Sequence, residues 1–307
     1  MKFLSFLLCL ALLVVAIMYT PRLASDDVIA GAGSGKNEVI HAPSDMCALL
    51  DFICGDNVNS LDATGIPSAI SLSTNGQRSA ATEYDSVTIH EVSYTSVVSE
   101  DAAYSLNREM DMYICSTASY YHSVGVVSQS GESSAMLLTF DMEVFIDYNT
   151  QKGYYKFNRW EQYGEGSMLF SADILGKWLY VTTGMNMSHF SSIDLANREG
   201  FETIGNALDR ADRSGKLEHK KSKYSLPSEE VQNVLGVNGR LELDLRNADE
   251  PTLTLSVNDQ AGTTSVFTET VYRFANINNT VVRMDKGADI LELTEKELEQ
   301  YVLGSED

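Results

Sequence analysis

Apolar and polar residues alternate along residues 135–148 of this chain. Met136, Leu138, Phe140, Met142 and Val144 occupy every second position, and acidic or hydroxyl residues fill most of the positions between them. Consecutive side chains of a β-strand point to opposite faces of a sheet, so this period of two predicts one long strand with one buried face. The buried face would hold the five apolar residues.

The same alternation recurs along most of the chain and predicts a protein built mainly of β-sheet. It is found in residues 86–98, 110–116, 120–129, 154–159, 167–174 and 178–183, and again in 241–245, 253–257, 266–274 and 280–284. Short turns separate these segments, and short connections join strands that are antiparallel neighbours. We therefore expect a meander of antiparallel strands.

Four segments have the features of helices instead. Ser44 is a suitable N-cap for a short helix that stops at Gly55, and residues 188–213 carry apolar residues at helical spacing. Residues 226–235 and 294–302 complete the set. The predicted fold class is α+β: a large curved antiparallel sheet of about ten or eleven strands in a meander, with inserted helices covering one face.

This order of elements resembles the LolA-like and related envelope lipoproteins, whose domain is a curved antiparallel β half-barrel. The segment from Thr270 to Val282 looks like the hairpin that ends such domains, and the resemblance spans about residues 44–285. It implies that helices cover an apolar concave face. The chain lacks the small residue before Cys9 that the lipid-attachment site of bacterial members requires, and no functional residue is carried over from the family.

The chain begins with the pattern of an export signal. Lys2 precedes an uncharged, apolar run over residues 3–19, and Arg22 and two aspartates follow. Such a segment is either cleaved as a signal peptide or kept as an N-terminal membrane anchor, and both alternatives stay open. We expect residues 1–25 to be this leader, 26–43 a flexible linker, and 44–307 a single extracytoplasmic domain, membrane-anchored or secreted.

Charge and motifs argue against several classes of function. The chain has 43 acidic and 22 basic residues and a formal net charge of −21, which repels the phosphates of nucleic acid. No serine-hydrolase, zinc-protease or nucleotide-binding motif is present, so neither an enzymatic activity nor a metal or cofactor is predicted. Asp141 and Glu143 form a carboxylate pair of the kind that glycoside hydrolases use, but we expect them on a solvated strand face.

The cysteines leave two alternatives open. Cys47 and Cys54 are seven positions apart in one predicted helix, too far to form a disulfide with each other. One bond between Cys115 and either of them is one alternative, and three reduced thiols are the other. Cys115 could form a catalytic pair only with His90 or His122, and a buried thiol is the expected role instead.

A binding function is the main hypothesis. We expect an exported, membrane-tethered, non-enzymatic domain that binds a lipid or other amphiphile, or senses the state of the cell envelope. Its ligand-binding residues would be Met136, Leu138, Phe140, Met142 and Val144. The aromatic residues concentrated between positions 113 and 180 favour an alternative, a surface adhesion or assembly module with a solid core. An exported hydrolase with an unrecognised set of catalytic residues is a third alternative.

Overall fold

The computed structural model describes residues 27–54, 84–131, 135–150, 152–164, 168–181 and 188–304, and the predicted leader lies outside these ranges. Most of the described residues belong to one large sheet. In chain order the elements are β1 (Val28–Ala32), α1 (Pro43–Cys54), β2 (Ser86–Val98), β3 (Ala102–Cys115), β4 (Ala118–Gly131), β5 (Ala135–Asp147), β6 (Lys152–Gly164), β7 (Met168–Phe170), β8 (Trp178–Val181), α2 (Ser188–Arg213), β9 (Glu218–Lys220), β10 (Lys223–Leu226), α3 (Ser228–Leu235), β11 (Gly239–Asp244), β12 (Thr252–Ala261), β13 (Thr264–Ala275), β14 (Thr280–Met284), β15 (Ile290–Leu293), α4 (Glu295–Glu299) and β16 (Val302–Gly304).

The large sheet is open and almost wholly antiparallel. Its strand order is β15-β8-β6-β5-β4-β3-β2-β13-β12-β11-β10-β9, with β7 and β16 attached beside β6. The pair β8 and β15 is parallel, which makes the sheet mixed. The predicted α+β class is confirmed. The strands outnumber the predicted ten or eleven because several strands are only three to five residues long, too short to show an alternating pattern.

One long-range pairing joins the two meanders. Strand β13 lies antiparallel to β2, with Phe274 opposite Ile89 and Thr270 opposite Ser93. The strands β2 to β6 and the strands β9 to β13 therefore form one continuous surface.

Helices α1 and α2 cover one face of this sheet, which we call the inner face. Leu49 and Leu50 of α1 and Phe201 and Leu208 of α2 are almost fully buried, in one apolar cluster with strand residues such as Ile89. Burial of such side chains contributes about 1.5–3 kcal/mol each, so this cluster is the main source of stability.

A second sheet of two strands, β1 and β14, lies on the opposite, outer face. Val28 of β1 and Val282 of β14 pack on Tyr120, Phe145 and Trp178 of the large sheet. Residues 26–43 were expected to be a flexible linker, but within the described part of this range the chain is fixed to the domain. The Gly33 amide donates to the Asn279 carbonyl, and Ile40 is fully buried, because apolar residues among the small ones reach the core.

Candidate functional site

The five residues predicted to bind a ligand all lie on the inner face. The cross-strand register places Leu138 opposite Val127 of β4, and Phe140 opposite Gly125 of β4 and Trp160 of β6. Residues directly opposite each other point to the same side of a sheet, so the alternation seen in the sequence indicates the shared face correctly.

Burial divides these five residues into two groups. Phe140, Met142 and Val144 are 8%, 4% and 7% exposed and belong to the main core. Leu138 and Met136, further along the same strand, are only partly buried. The first three therefore do what any core residue does, and the last two are accessible to a ligand.

Met136 and Leu138 continue into an apolar band that we call the inner strip. Its members are partly buried apolar residues on three neighbouring strands. They are Tyr104 and Leu106 of β3, Val127 of β4, and Met136 and Leu138 of β5. Gln129 of β4 lies between Tyr104 and Met136, so the strip is continuous only along the row of Leu106, Val127 and Leu138, which packs against the edge of the main core.

Phe140 marks the boundary between the core and the inner strip. A Cβ atom added at Gly125 would lie 2.6 Å from Cζ of Phe140 and 2.7 Å from the Asn107 carbonyl oxygen. Because Gly125 has no side chain, the Phe140 ring can lie over β4 at this position. Trp160 is held nearby, with ring centroids 5.7 Å from Phe157 and 5.7 Å from Phe170.

Two buried polar atoms beside the strip have no hydrogen-bond partner among the described residues. One is Oε2 of Glu91 on β2, and the other is the indole Nε1 of Trp160 on β6. Glu91 is fully buried, and both Nε and a terminal nitrogen of Arg108 donate to its other oxygen, Oε1, at 3.0 and 2.5 Å. Tyr272 lies opposite Glu91 on β13. Its burial raises the pKa of its hydroxyl, and the negative charge of Glu91 raises this pKa further.

Glu91 and Arg108 were missed in the sequence, although a signal was present. Glu91 follows Val87 and Ile89 at the position where the alternation requires a third inward apolar residue. A charge at such a position is costly unless it is paired, and its presence there indicates a partner on a neighbouring strand.

The outer face carries a row of ionisable residues across β2 to β6. Nδ1 of His90 lies 2.6 Å from a carboxylate oxygen of Asp111, and Nε2 of His122 lies 2.9 Å from one of Asp141. These contacts join neighbouring strands, and they satisfy polar groups on the face that β1 and β14 cover in part.

Glu143 in this row is buried, which corrects the expectation that Asp141 and Glu143 both lie on a solvated face. Glu143 is 2% exposed, and its buried charge is compensated: Tyr120 donates to its Oε2 at 2.7 Å, Asn158 donates to its Oε1 at 2.7 Å, and Lys156 lies 3.8 Å away. Asn158 also donates to Asp141 at 3.0 Å. The pair is held by protein groups, and Glu143 is not placed to touch a substrate.

The cysteine and metal hypotheses can be compared with the described residues. No disulfide joins Cys47, Cys54 and Cys115 to one another. The thiol of Cys115 is bonded to Thr117 and to the Ala118 carbonyl, at 3.4 and 3.3 Å. Among the residues that the structure describes, no three His, Cys, Asp or Glu side chains are grouped so as to hold a metal ion.

The chain matches no known protein family, and no curated protein is similar to it. No helix within the described ranges is both long and apolar enough to span a membrane.

Proposed function

We propose that this protein is an exported, non-enzymatic binding protein whose inner strip takes up the apolar part of a lipid or other amphiphile. The observation that carries the proposal is the change in burial along β5, where Phe140 is covered and Leu138 and Met136 are partly exposed on the same face. Apolar surface that the protein leaves partly accessible, here the row of Leu106, Val127 and Leu138 with Met136 beside it, is typical of a binding site.

The surroundings of the strip favour an amphiphile over a purely apolar ligand. Ligand sites combine an apolar lining with a few polar groups that fix orientation, and the unsatisfied atoms of Glu91 and Trp160 are such groups. The apolar run of residues 3–19 supports export and a tether to the membrane, where such ligands occur.

Native mass spectrometry of the full chain, purified in mild detergent from the cells that make it, is the first test. A bound mass that survives gentle activation and is released as a lipid or similar molecule is the expected result. A chain that carries no such mass, and gains none on incubation with mixed lipids, would overturn the proposal.

Tryptophan fluorescence can place the ligand, because the chain has only two tryptophans. Trp160 lies beside the inner strip, whereas Trp178 is fully buried on the outer face. A lipid with a brominated acyl chain should quench the emission of a Trp178→Phe variant and leave that of a Trp160→Phe variant unchanged. Equal quenching of both variants would indicate nonspecific binding.

A matched pair of substitutions tests the strip itself. Val127→Asp places a charge within the inner strip and should abolish quenching in the Trp178→Phe background. Val92→Asp, at a position of β2 that is 46% exposed on the outer face, is the control and should leave quenching unchanged. Each variant is first checked for a cooperative unfolding transition.

The outer face favours a second candidate function, an assembly module. Val92, Tyr94, Val98 and Phe267 are 39–46% exposed there, and the rings of Tyr94 and Phe267 have centroids 5.9 Å apart. Exposed aromatic groups of this kind are common in protein interfaces. Concentration-dependent sedimentation that the double variant Tyr94→Ser, Phe267→Ser abolishes would support this function, and a monomer at all concentrations would exclude self-assembly.

A further inference from the structure

The Glu91 carboxylate lacks one of the hydrogen bonds that a buried charge requires. Glu91 is fully buried, and the guanidinium of Arg108 donates twice to the same oxygen, Oε1. Oε2 is left without a donor among the described residues. A buried acceptor that stays unsatisfied is destabilising by about 1–3 kcal/mol, so a ligand that supplies a donor gains a comparable advantage.

The pair of charges adjoins the inner strip. Arg108 lies opposite Ser93 and Gly125, one row nearer the strip than Glu91, and Leu106 is the next inward residue of β3. Glu91 is bonded to Arg108 through Oε1, so the two charged groups occupy neighbouring rows beside the strip. The Arg108 side chain is 21% exposed, so the pair borders accessible space.

The charge of this pair limits the head group that can approach it. Glu91 and Arg108 neutralise each other, so an anionic head group would meet the free carboxylate oxygen without an unpaired cation to offset the repulsion. A cationic head group would leave a net positive charge at a buried site beside Arg108. An uncharged donor satisfies Oε2 and adds no charge.

We infer that the amphiphile of the inner strip carries an uncharged head group with a hydroxyl or amide N–H donor, which binds Oε2 of Glu91. The inference rests on the proposed function of the strip. From β2 to β6 there are four strand spacings, about 19 Å, so a long acyl chain that starts at Glu91 and crosses the strip ends near Trp160.

Three probes with hydrocarbon tails of the same length and unsaturation test the inference in the full-length Trp178→Phe protein: monooleoylglycerol, oleate and oleylamine. Quenching or enhancement of Trp160 emission reports binding at pH 7. Monooleoylglycerol should bind at least about tenfold more tightly than either charged probe, the difference that one hydrogen bond to a carboxylate provides. Equal affinities, or a preference for a charged probe, would overturn the inference but leave the proposed function standing. Binding of none of the three would overturn the proposed function itself.

Glu91→Gln then assigns the preference to this carboxylate. The variant should lose about tenfold in affinity for monooleoylglycerol and gain affinity for oleate, because Arg108 no longer has a carboxylate partner. Glu143→Gln, at a buried glutamate of the outer face, is the control and should bind the three probes in the same order of affinity as the parent protein. An unchanged order in Glu91→Gln would contradict the inference. The ranking of probes in the parent protein remains a valid test even if this variant does not fold.

Discussion

Tyr120 donates a hydrogen bond of 2.7 Å to Oε2 of Glu143, on the outer face of the sheet. Glu143 is 2% exposed, and Tyr120 is 6% exposed beneath the small sheet of β1 and β14. Burial raises the pKa of Tyr120 well above its usual range, and the negative charge of Glu143 is the second cause of this shift. The hydroxyl therefore stays protonated and acts as a permanent donor to a buried carboxylate.

Tyr120→Phe is expected to be destabilising out of proportion to the single atom removed. Oε2 of Glu143 would stay buried without its donor, and the free energy of unfolding should fall by about 1–3 kcal/mol. Urea unfolding monitored by circular dichroism measures the change. Tyr94→Phe, whose side chain is 40% exposed, is the control and should have almost no effect. Equal effects of the two substitutions would contradict a structural role for the Tyr120 bond.

Alkaline pH should destabilise the protein through Cys47. Burial is the main cause, and the negative charge of Asp209 the second cause, of a rise in the pKa of this thiol from 9.0 to about 12. A folded-state pKa above the unfolded value gives stability that is complete below pH 9 and is lost as the pH rises from 9 to about 12. Each pH unit in this window lowers the free energy of unfolding by on the order of 1 kcal/mol. Tyr120 and Tyr272, whose pKa values are also raised by burial, add to the loss above pH 10.

The test is the urea midpoint measured at a series of pH values from 8 upward. Cys47→Ala should reduce the slope of the decline just above pH 9, whereas Cys115→Ala, at a partly exposed position, should leave it unchanged. A Cys47→Ala variant with the parental slope would show that another group controls the alkaline transition.

Gly125 is predicted to tolerate a side chain poorly. A methyl group there would lie 2.6 Å from Phe140 and 2.7 Å from the Asn107 backbone, so Gly125→Ala should reduce stability by about 1–3 kcal/mol. Gly200→Ala is the control, since nothing lies within 4 Å of an added Cβ in helix α2. That substitution should be neutral or stabilising by up to about 1 kcal/mol. Thermal unfolding of both variants measures whether the melting temperature falls in Gly125→Ala and stays the same or rises in Gly200→Ala.

The sequence allowed the regular elements to be predicted where patterns are long. The predicted segments 86–98, 188–213 and 280–284 coincide with β2, α2 and β14. Strand β3 was predicted only from Met110, although it begins at Ala102. The reason is Arg108, a charge at an inward position that breaks the alternation and is tolerated because Glu91 pairs with it.

Contacts between distant segments could not be predicted in the same way. The pairing of β13 with β2, and of β1 with β14, depends on which strand edges meet after folding, and the local pattern of either strand contains no information on its partner. The same limit applies to the candidate site. The alternation correctly places Met136 to Val144 on one face, but only tertiary packing decides that Phe140 is buried and Leu138 is partly exposed.

The small sheet of β1 and β14 should detach from the outer face before the main core unfolds. The apolar cluster that holds it there is small, with Val28 and Val282 against Trp178, and a few hydrogen bonds such as that between Thr88 and Thr280 add to it. The inner core, in contrast, includes both long helices. Val282→Asp would place a charge in that cluster, at a side chain that is 6% exposed. In a Trp160→Phe background, where Trp178 is the sole reporter, its emission should shift to the red at urea concentrations that leave the far-ultraviolet circular dichroism unchanged.

Val281→Asp supplies the matched control on the same strand. Val281 is 41% exposed and points away from the cluster, so the same charge at this neighbouring position should leave Trp178 buried until global unfolding. A cooperative unit that includes both sheets would behave differently, because Trp178 emission and circular dichroism would change together in the Val282→Asp variant. The difference between the two positions thus measures whether the outer cover is a separate, weaker unit of the fold.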